Sequence, residues 1–237
     1  MNRNGIDEEA AVLGEGIYQD RRDAGAQLAE SLREYADRAD VLVLALPRGG
    51  VPVGFEIARA LRVPLDLFLV RKLGVPGQEE LAFGALASGG VRVLNDDILA
   101  YLPLSAEEID EIAKREAREL ARRQEIYRGH RPPPEVKGKI VILVDDGLAT
   151  GATMRAAVNA LSQQKPKQII VAVPVAARET CRQFNRLADH VSCLCGMTPL
   201  SFQAVGLWYA DFSQTSDEEV CHLLAQARNP TSSGGEK

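Results

Sequence analysis

Apolar residues recur at Ala24, Leu28, Leu32 and Tyr35 with charged residues between them, a spacing that predicts an amphipathic helix over Tyr18 to Arg38. The pattern then changes. Val41 to Leu46 is an unbroken apolar run, ended by Pro47-Arg48-Gly49-Gly50 and followed by helical spacing from Val53 to Leu61. Short apolar runs bounded by turn residues suit strands buried on both faces. The alternation repeats with Leu65 to Val70, with Ile140 to Val144 before a helix over Thr153 to Leu161, and with Ile169 to Val173 before Ala177 to Leu187. Strands alternating with helices predict a mainly parallel α/β sheet flanked by helices. Gly84 to Leu94 reads as a flexible hairpin of two short strands turning at Ser88-Gly89-Gly90. Ser105 with Glu108 makes a capping box whose helix runs to Tyr127, where Gly129 and Pro132-Pro133-Pro134 stop it. The charges from Glu107 to Arg123 read as its solvated face. Ser216 with Glu219 opens a C-terminal helix to Ala227.

The length, 237 residues, fits one domain, expected over residues 16–228 with a helical insertion at 96–139. The polar ends, 1–15 and 229–237, are expected to be flexible tails. No apolar run reaches the roughly 18 residues of a membrane span, and the N-terminus lacks a secretory pattern, so the cytoplasm is expected. A formal net charge of −5 argues against a general nucleic-acid binder. Cys181, Cys193, Cys195 and Cys221 lack the spacing of a disulfide framework, and buried or inert thiols are favoured over metal ligands.

The chemistry concentrates in Val141-Ile142-Leu143-Val144-Asp145-Asp146-Gly147-Leu148-Ala149-Thr150-Gly151-Ala152-Thr153. A strand delivers two acids at its carboxyl end, and small residues then open a helix whose backbone N–H groups can converge on a phosphate. Thr150 and Thr153 add hydroxyl donors. The acids need another partner, ribose hydroxyls or a bound cation, so the parts together describe a sugar-phosphate site. A Gly-Lys-Ser/Thr ending is missing, which excludes a Walker loop, and no Gly-x-Gly-x-x-Gly follows a strand. Pro47-Arg48-Gly49-Gly50 could bring backbone amides and the Arg48 fork to a second anion, though an ordinary turn would look the same.

This segment resembles the signature of the type I phosphoribosyltransferases: an apolar strand, two acids and a Thr-Gly-x-Thr/Ser loop. The resemblance covers Ala39 to Val175. It implies the type I phosphoribosyltransferase fold, with a mobile loop and a variable hood, here either over residues 195–212 with Phe202, Trp208 and Tyr209 or from the N-terminal segment around Tyr18, core packing being an equal or better reading of each aromatic. It also implies that Ala149, Thr150, Gly151, Ala152 and Thr153 bind the 5-phosphate of 5-phosphoribosyl-1-pyrophosphate (PRPP), while Asp145 and Asp146 bind the ribose hydroxyls. The pyrophosphate would be held by Arg48, Gly49 and Gly50, with a cis peptide near Arg48. Arg71-Lys72-Leu73-Gly74 is similar to the opening of the mobile loop in adenine and orotate phosphoribosyltransferases, and adds Arg71 and Lys72 to the pyrophosphate set. That loop is expected from Gly74 to Val91.

The implied reaction is substitution at the anomeric carbon of PRPP by a nitrogenous acceptor, nucleobases among the candidates. Pyrophosphate leaves, and Asp145, Asp146, Lys72 and Arg48 form the catalytic set. Mg²⁺ would be held mainly by the substrate, with Asp145 or Asp146 as protein ligands. The 6-oxopurine enzymes carry an acid at the position of Ala149, so this residue disfavours hypoxanthine, guanine and xanthine. A PRPP-sensing regulator of the same fold is the main rival. Family members are commonly homodimers, which is the assembly expected.

Overall fold

The computed structural model describes residues 18–102 and 104–229, so the expected tails, 1–15 and 229–237, lie outside the described residues except for Asn229. The chain divides into two compact units, each considered by itself. Helix α1 (Arg21–Glu30), strand β1 (Val41–Ala45), helix α2 (Gly50–Leu61) and strand β2 (Leu65–Leu67) begin the first unit. Strand β3 (Val70–Val75), strand β4 (Gln78–Ala87), strand β5 (Val91–Leu94), helix α3 (Asp96–Leu99) and helix α4 (Ala106–Arg128) follow in the second. The chain returns to the first unit for strand β6 (Ile140–Val144), gives helix α5 (Ala152–Gln163) to the second, and ends in the first. That ending comprises strand β7 (Gln168–Val175), helix α6 (Arg178–Asn185), strand β8 (Val191–Met197) and helix α7 (Asp217–Arg228).

The first unit is built on a parallel five-stranded sheet in the order β2-β1-β6-β7-β8. Every residue of β1 and β6 is buried, which is why these strands read as unbroken apolar runs. They pair in register from Val41 with Ile140 to Ala45 with Val144, so the segments leaving their carboxyl ends start side by side. The predicted α/β class is therefore the observed one.

The boundaries differ where local geometry competes with periodicity. The helix expected over Tyr18 to Arg38 stops at Glu30: Leu32 leaves helical geometry, and a 3₁₀ turn, Arg33–Tyr35, follows while the Leu32 side chain stays buried. Helix α2 starts at Gly50, three residues earlier than expected, because Pro52 falls in the first turn, where its missing N–H costs nothing. The expected strand Leu65 to Val70 is two elements, β2 in the parallel sheet and the start of β3 in another sheet.

The second unit holds an antiparallel sheet, β3-β4-β5. The segment Gly74 to Val91, expected as a loop, is largely strand. Leu73, Val75, Phe83 and Leu86 form one buried cluster with Ile112 and Ala113 of α4, and that burial holds the strands in place. The turn from β4 to β5 does fall at Gly89-Gly90, both at positive φ. Helix α4 begins with the capping box read from Ser105 and Glu108.

Candidate functional site

The two parallel strands β1 and β6 set the site. After β1 the chain passes Pro47, Arg48 and Gly49 into α2, and the Pro47–Arg48 peptide is cis, as the resemblance implied. After β6 it passes Asp145 and Asp146. The two segments are packed too closely for side chains between them. A Cβ on Gly49 would overlap Asp146 Oδ2, and one on Gly50 would lie 2.6 Å from the Val144 carbonyl. Glycine is required here for close approach. Leu46 N–H also donates to the Val144 carbonyl at 2.8 Å, tying the start of one segment to the strand that launches the other.

Asp145 and Asp146 are partly buried, and their carboxyls face different partners. Asp145 Oδ1 accepts the Asp146 N–H at 2.9 Å. Asp146 Oδ2 accepts from Arg21 Nε at 2.8 Å, with side-chain exposures of only 11% for Arg21 and 18% for Asp146. Burial, reinforced by the neighbouring Asp146 charge, holds the Asp145 carboxyl well above its ordinary pKa. Burial also raises Asp146, against the opposing pull of Arg21. Two desolvated acids side by side give a hard oxygen donor set, one that a divalent cation or hydroxyl donors would relieve.

Beyond the acids, Leu148 N–H donates to the Val175 carbonyl and Ala177 N–H to the Leu148 carbonyl. Thr180 Oγ1 on α6 donates to the Ala149 carbonyl at 2.9 Å. These bonds fix the path of the loop while Ala149, Thr150 and Thr153 remain exposed. Gly151, at φ +72°, takes the left-handed turn that starts α5. Ala152 and Thr153 form the first turn of α5, so the exposed loop leads straight into a helix N-terminus.

The structure thus gathers Arg48, Gly49, Gly50, Asp145, Asp146, Ala149 and Thr150 at the carboxyl ends of the first unit's strands. Arg48 Nη1 lies 3.7 Å from Asp217 at the start of α7. Arg71 and Lys72 belong to β3 of the second unit. Arg71 is engaged there, its Nη2 2.7 Å from Glu116 of α4.

Sequence reasoning missed Arg21. It lies on a helix read only as amphipathic, and its long-range partner leaves no local signal. Arg21 Nη1 also donates to the Ser213 carbonyl at 2.7 Å, and its guanidinium sits 3.9 Å over the Phe212 ring. Phe202, Trp208 and Tyr209 lie in one cluster with Tyr18, Ala24 and Val175. Tyr209 is more than packing, because its hydroxyl donates to the Asp146 carbonyl at 2.5 Å. The second unit carries a cavity of about 550 Å³ bordered by Ala152, Arg155 and Asn159 of α5 and by Gly84, Asn95 and Asp97, also without a sequence signal.

Comparison with known proteins agrees with this geometry. Residues 16–204 match the family model described as a phosphoribosyl transferase domain. Two relatives from Mycobacterium tuberculosis named as phosphoribosyl transferases, Rv0571c and MT0597, are each 45% identical over 219 residues, 92% of this chain and 49% of theirs. The chain therefore spans about half the length of these curated relatives. The bifunctional protein PyrR of Clostridium acetobutylicum is 29% identical over 135 residues, 56% of each protein. The crystal structure of TT1426 from Thermus thermophilus matches with a TM-score of 0.78 and 42% identity, covering 88% of this chain and 98% of that one. A family match over most of the chain, on a sheet whose strand ends carry the expected acids and loop, means that the protein belongs to the phosphoribosyl transferase domain family.

Proposed function

We propose that the protein transfers the phosphoribosyl group of PRPP to a nitrogenous acceptor, releasing pyrophosphate. One observation carries this reading: Gly49 and Gly50 press against Asp145, Asp146 and the Val144 carbonyl, so the loops assigned to pyrophosphate and to ribose phosphate leave adjacent strand ends. Asp145 and Asp146 would accept from the ribose 2- and 3-hydroxyls. The loop from Ala149 to Thr153, exposed at Ala149, Thr150 and Thr153, would hold the 5-phosphate at the N-terminus of α5. Fixing the ribose at both ends aligns the anomeric carbon for attack and supplies much of the rate by orientation. The guanidinium of Arg48, with the Gly49 and Gly50 backbone, would offset charge on the departing pyrophosphate. The part given to Arg71 and Lys72 rests on the resemblance alone.

Mg²⁺ fits the donor set of Asp145 and Asp146, and when bound it would neutralise pyrophosphate charge. Ala149 disfavours the 6-oxopurines as acceptors. A cytoplasmic homodimer completes the reading, on sequence and resemblance. Among the described residues, no helix is long and apolar enough to cross a membrane.

A second reading, a PRPP-binding regulator without turnover, draws on the Arg21–Asp146 ion pair. It already occupies Oδ2 of a carboxylate that catalysis would use. One experiment separates the two: PRPP and Mg²⁺ are supplied with a panel of nucleobases and small amines, and pyrophosphate release is followed. The wild type is run beside the Asp145→Asn, Asp146→Asn double variant. Release that depends on one acceptor and disappears in the variant is expected. PRPP binding without release for any acceptor favours the regulator, and unchanged PRPP affinity in the variant removes the site assignment.

A further inference from the structure

Three cysteines converge at the outer strand of the first unit's sheet. Cys193 and Cys195 stand two apart on β8, so their side chains leave the same face, and α6, which carries Cys181, packs against that strand. The three sulfur atoms lie within 4.8 Å of one another. Cys193 Sγ is 3.5 Å and Cys181 Sγ 2.7 Å from Cys195 Sγ, and no disulfide joins them.

The convergence is supported on both sides. Strand β8 is fixed to β7 with Val171 opposite Cys193 and Val173 opposite Cys195. On its outer edge, the Cys193 N–H donates to Asn185 Oδ1 at the end of α6, at 2.8 Å. Cys181 is buried, whereas Cys193 and Cys195 keep partial exposure, which leaves a route in from solvent.

A disulfide needs two sulfurs, and here there are three around one point. A zinc–thiolate bond of about 2.3 Å places tetrahedral sulfur ligands roughly 3.8 Å apart. The Cys193–Cys195 pair is already near that separation. The Cys181–Cys195 pair must open by about 1 Å, which a small rotation of either side chain supplies.

We propose that Cys181, Cys193 and Cys195 bind a thiophilic divalent cation of the zinc class, with a fourth position open to an external ligand. Each thiol releases its proton to solvent as its sulfur–metal bond forms, and no electron is transferred. The three thiolates and the divalent ion leave a single net negative charge. Occupancy would pin α6 to β8, and α6 is the helix from which Thr180 holds the Ala149 carbonyl. The metal site itself does not depend on the proposed transferase activity.

Cd²⁺ titrated into the full chain, reduced with a phosphine and stripped of metal, reads the site directly. One ion per chain is expected, with a near-ultraviolet sulfur-to-cadmium charge-transfer band. Cys193→Ser and Cys195→Ser should each weaken uptake by at least the roughly 10–100-fold that loss of an outer partner causes. Cys221→Ser, outside the cluster, should leave band and stoichiometry unchanged. Loading should also protect Cys193 and Cys195 from alkylation. A folded, reduced wild type without the band overturns the proposal, as does a band that survives the Cys193→Ser, Cys195→Ser double variant. A Cys181–Cys195 disulfide formed in air, in a protein that takes up no Cd²⁺ when reduced, overturns it in favour of a redox pair.

Discussion

Arg21 Nε donates to Asp146 Oδ2 at 2.8 Å, joining the first helix to the carboxyl end of the central strand. With little exposure on either side chain, this pair is worth more than a surface ion pair, whose median contribution is within about 1 kcal/mol. Arg21→Ala strands a desolvated carboxylate and should cost about 2 kcal/mol at neutral pH. The loss has a sign in pH. Without the guanidinium the folded-state pKa of Asp146, already raised by burial, moves further up, so the penalty grows above the ordinary carboxylate range and fades in acid as Asp146 protonates. Urea midpoints of both proteins across acidic and neutral pH check this. A pH-independent difference would mean that Arg21 acts through Phe212 and the Ser213 carbonyl rather than through Asp146.

Asp145 feels the Arg21 charge too, but burial and the neighbouring Asp146 charge outweigh it. Its folded-state pKa is raised, so the folded protein binds more protons than the unfolded chain, and stability falls as pH rises from the ordinary carboxylate range towards the folded pKa. Asp145→Asn keeps the acceptor for the Asp146 N–H and removes the buried charge. It should stabilise the ligand-free protein by about 1 kcal/mol at neutral pH, a rise in Tm of about 2–4 °C, while abolishing PRPP binding. Thermal melts and calorimetric titration read the two effects separately, and a lower Tm would contradict the account.

The strands and the acids were legible in the sequence for the same reason: β1 and β6 are buried on both faces, so their apolar runs and the polar residues ending them stand out. Strand β8 was not. Val-Ser-Cys-Leu-Cys-Gly-Met is an edge strand with only Val191 fully buried, and mixed exposure erases the run. The β3-β4 pair was hidden differently. Gly74 and Pro76-Gly77 read as loop, and register shifts on both sides of Gly74 blur the alternation a strand would display. Arg21, Tyr209 and Thr180 reach the loop from remote parts of the chain, and only the folded backbone brings them there.

Gly49 has no room for a side chain. A Cβ would overlap Asp146 Oδ2, so Gly49→Ala must displace either the carboxylate or the Arg48 backbone. An overpacking cost of about 2 kcal/mol is expected, together with loss of PRPP binding. Gly138→Ala is the control. Nothing lies within 4 Å of its added methyl, and only the positive φ of +72° opposes it. That should cost about 1 kcal/mol with PRPP affinity unchanged. Equal affinities in the two variants would separate Gly49 from the site.

In the second unit, Arg71 meets Glu116 through two nitrogens, at 2.7 and 2.9 Å, and Glu116 is buried on α4. Removing Arg71 leaves that carboxylate with only Arg115, whose Nε donates to its other oxygen at 3.2 Å, so Arg71→Ala should cost about 2 kcal/mol. Arg71→Lys, which cannot reproduce the fork, should recover only part of it. Denaturation of the ligand-free proteins tests this. A neutral Arg71→Ala would free Arg71 for the pyrophosphate role that the resemblance implies.

Thr180 separates support of the loop from contact with ligand. Its hydroxyl donates to the Ala149 carbonyl, whereas the groups assigned to the 5-phosphate are the exposed loop amides and hydroxyls. Thr180→Val keeps the shape of the side chain and removes that one bond, at a stability cost of about 1 kcal/mol. If the bond fixes the loop, the KM for PRPP should rise roughly tenfold, equivalent to about 1.4 kcal/mol of binding, with kcat nearly unchanged, because the reacting groups are not altered. Thr180→Ser retains the hydroxyl and should restore the wild-type KM. A fall in kcat with KM unchanged would instead place Thr180 among the residues that act only in the transition state.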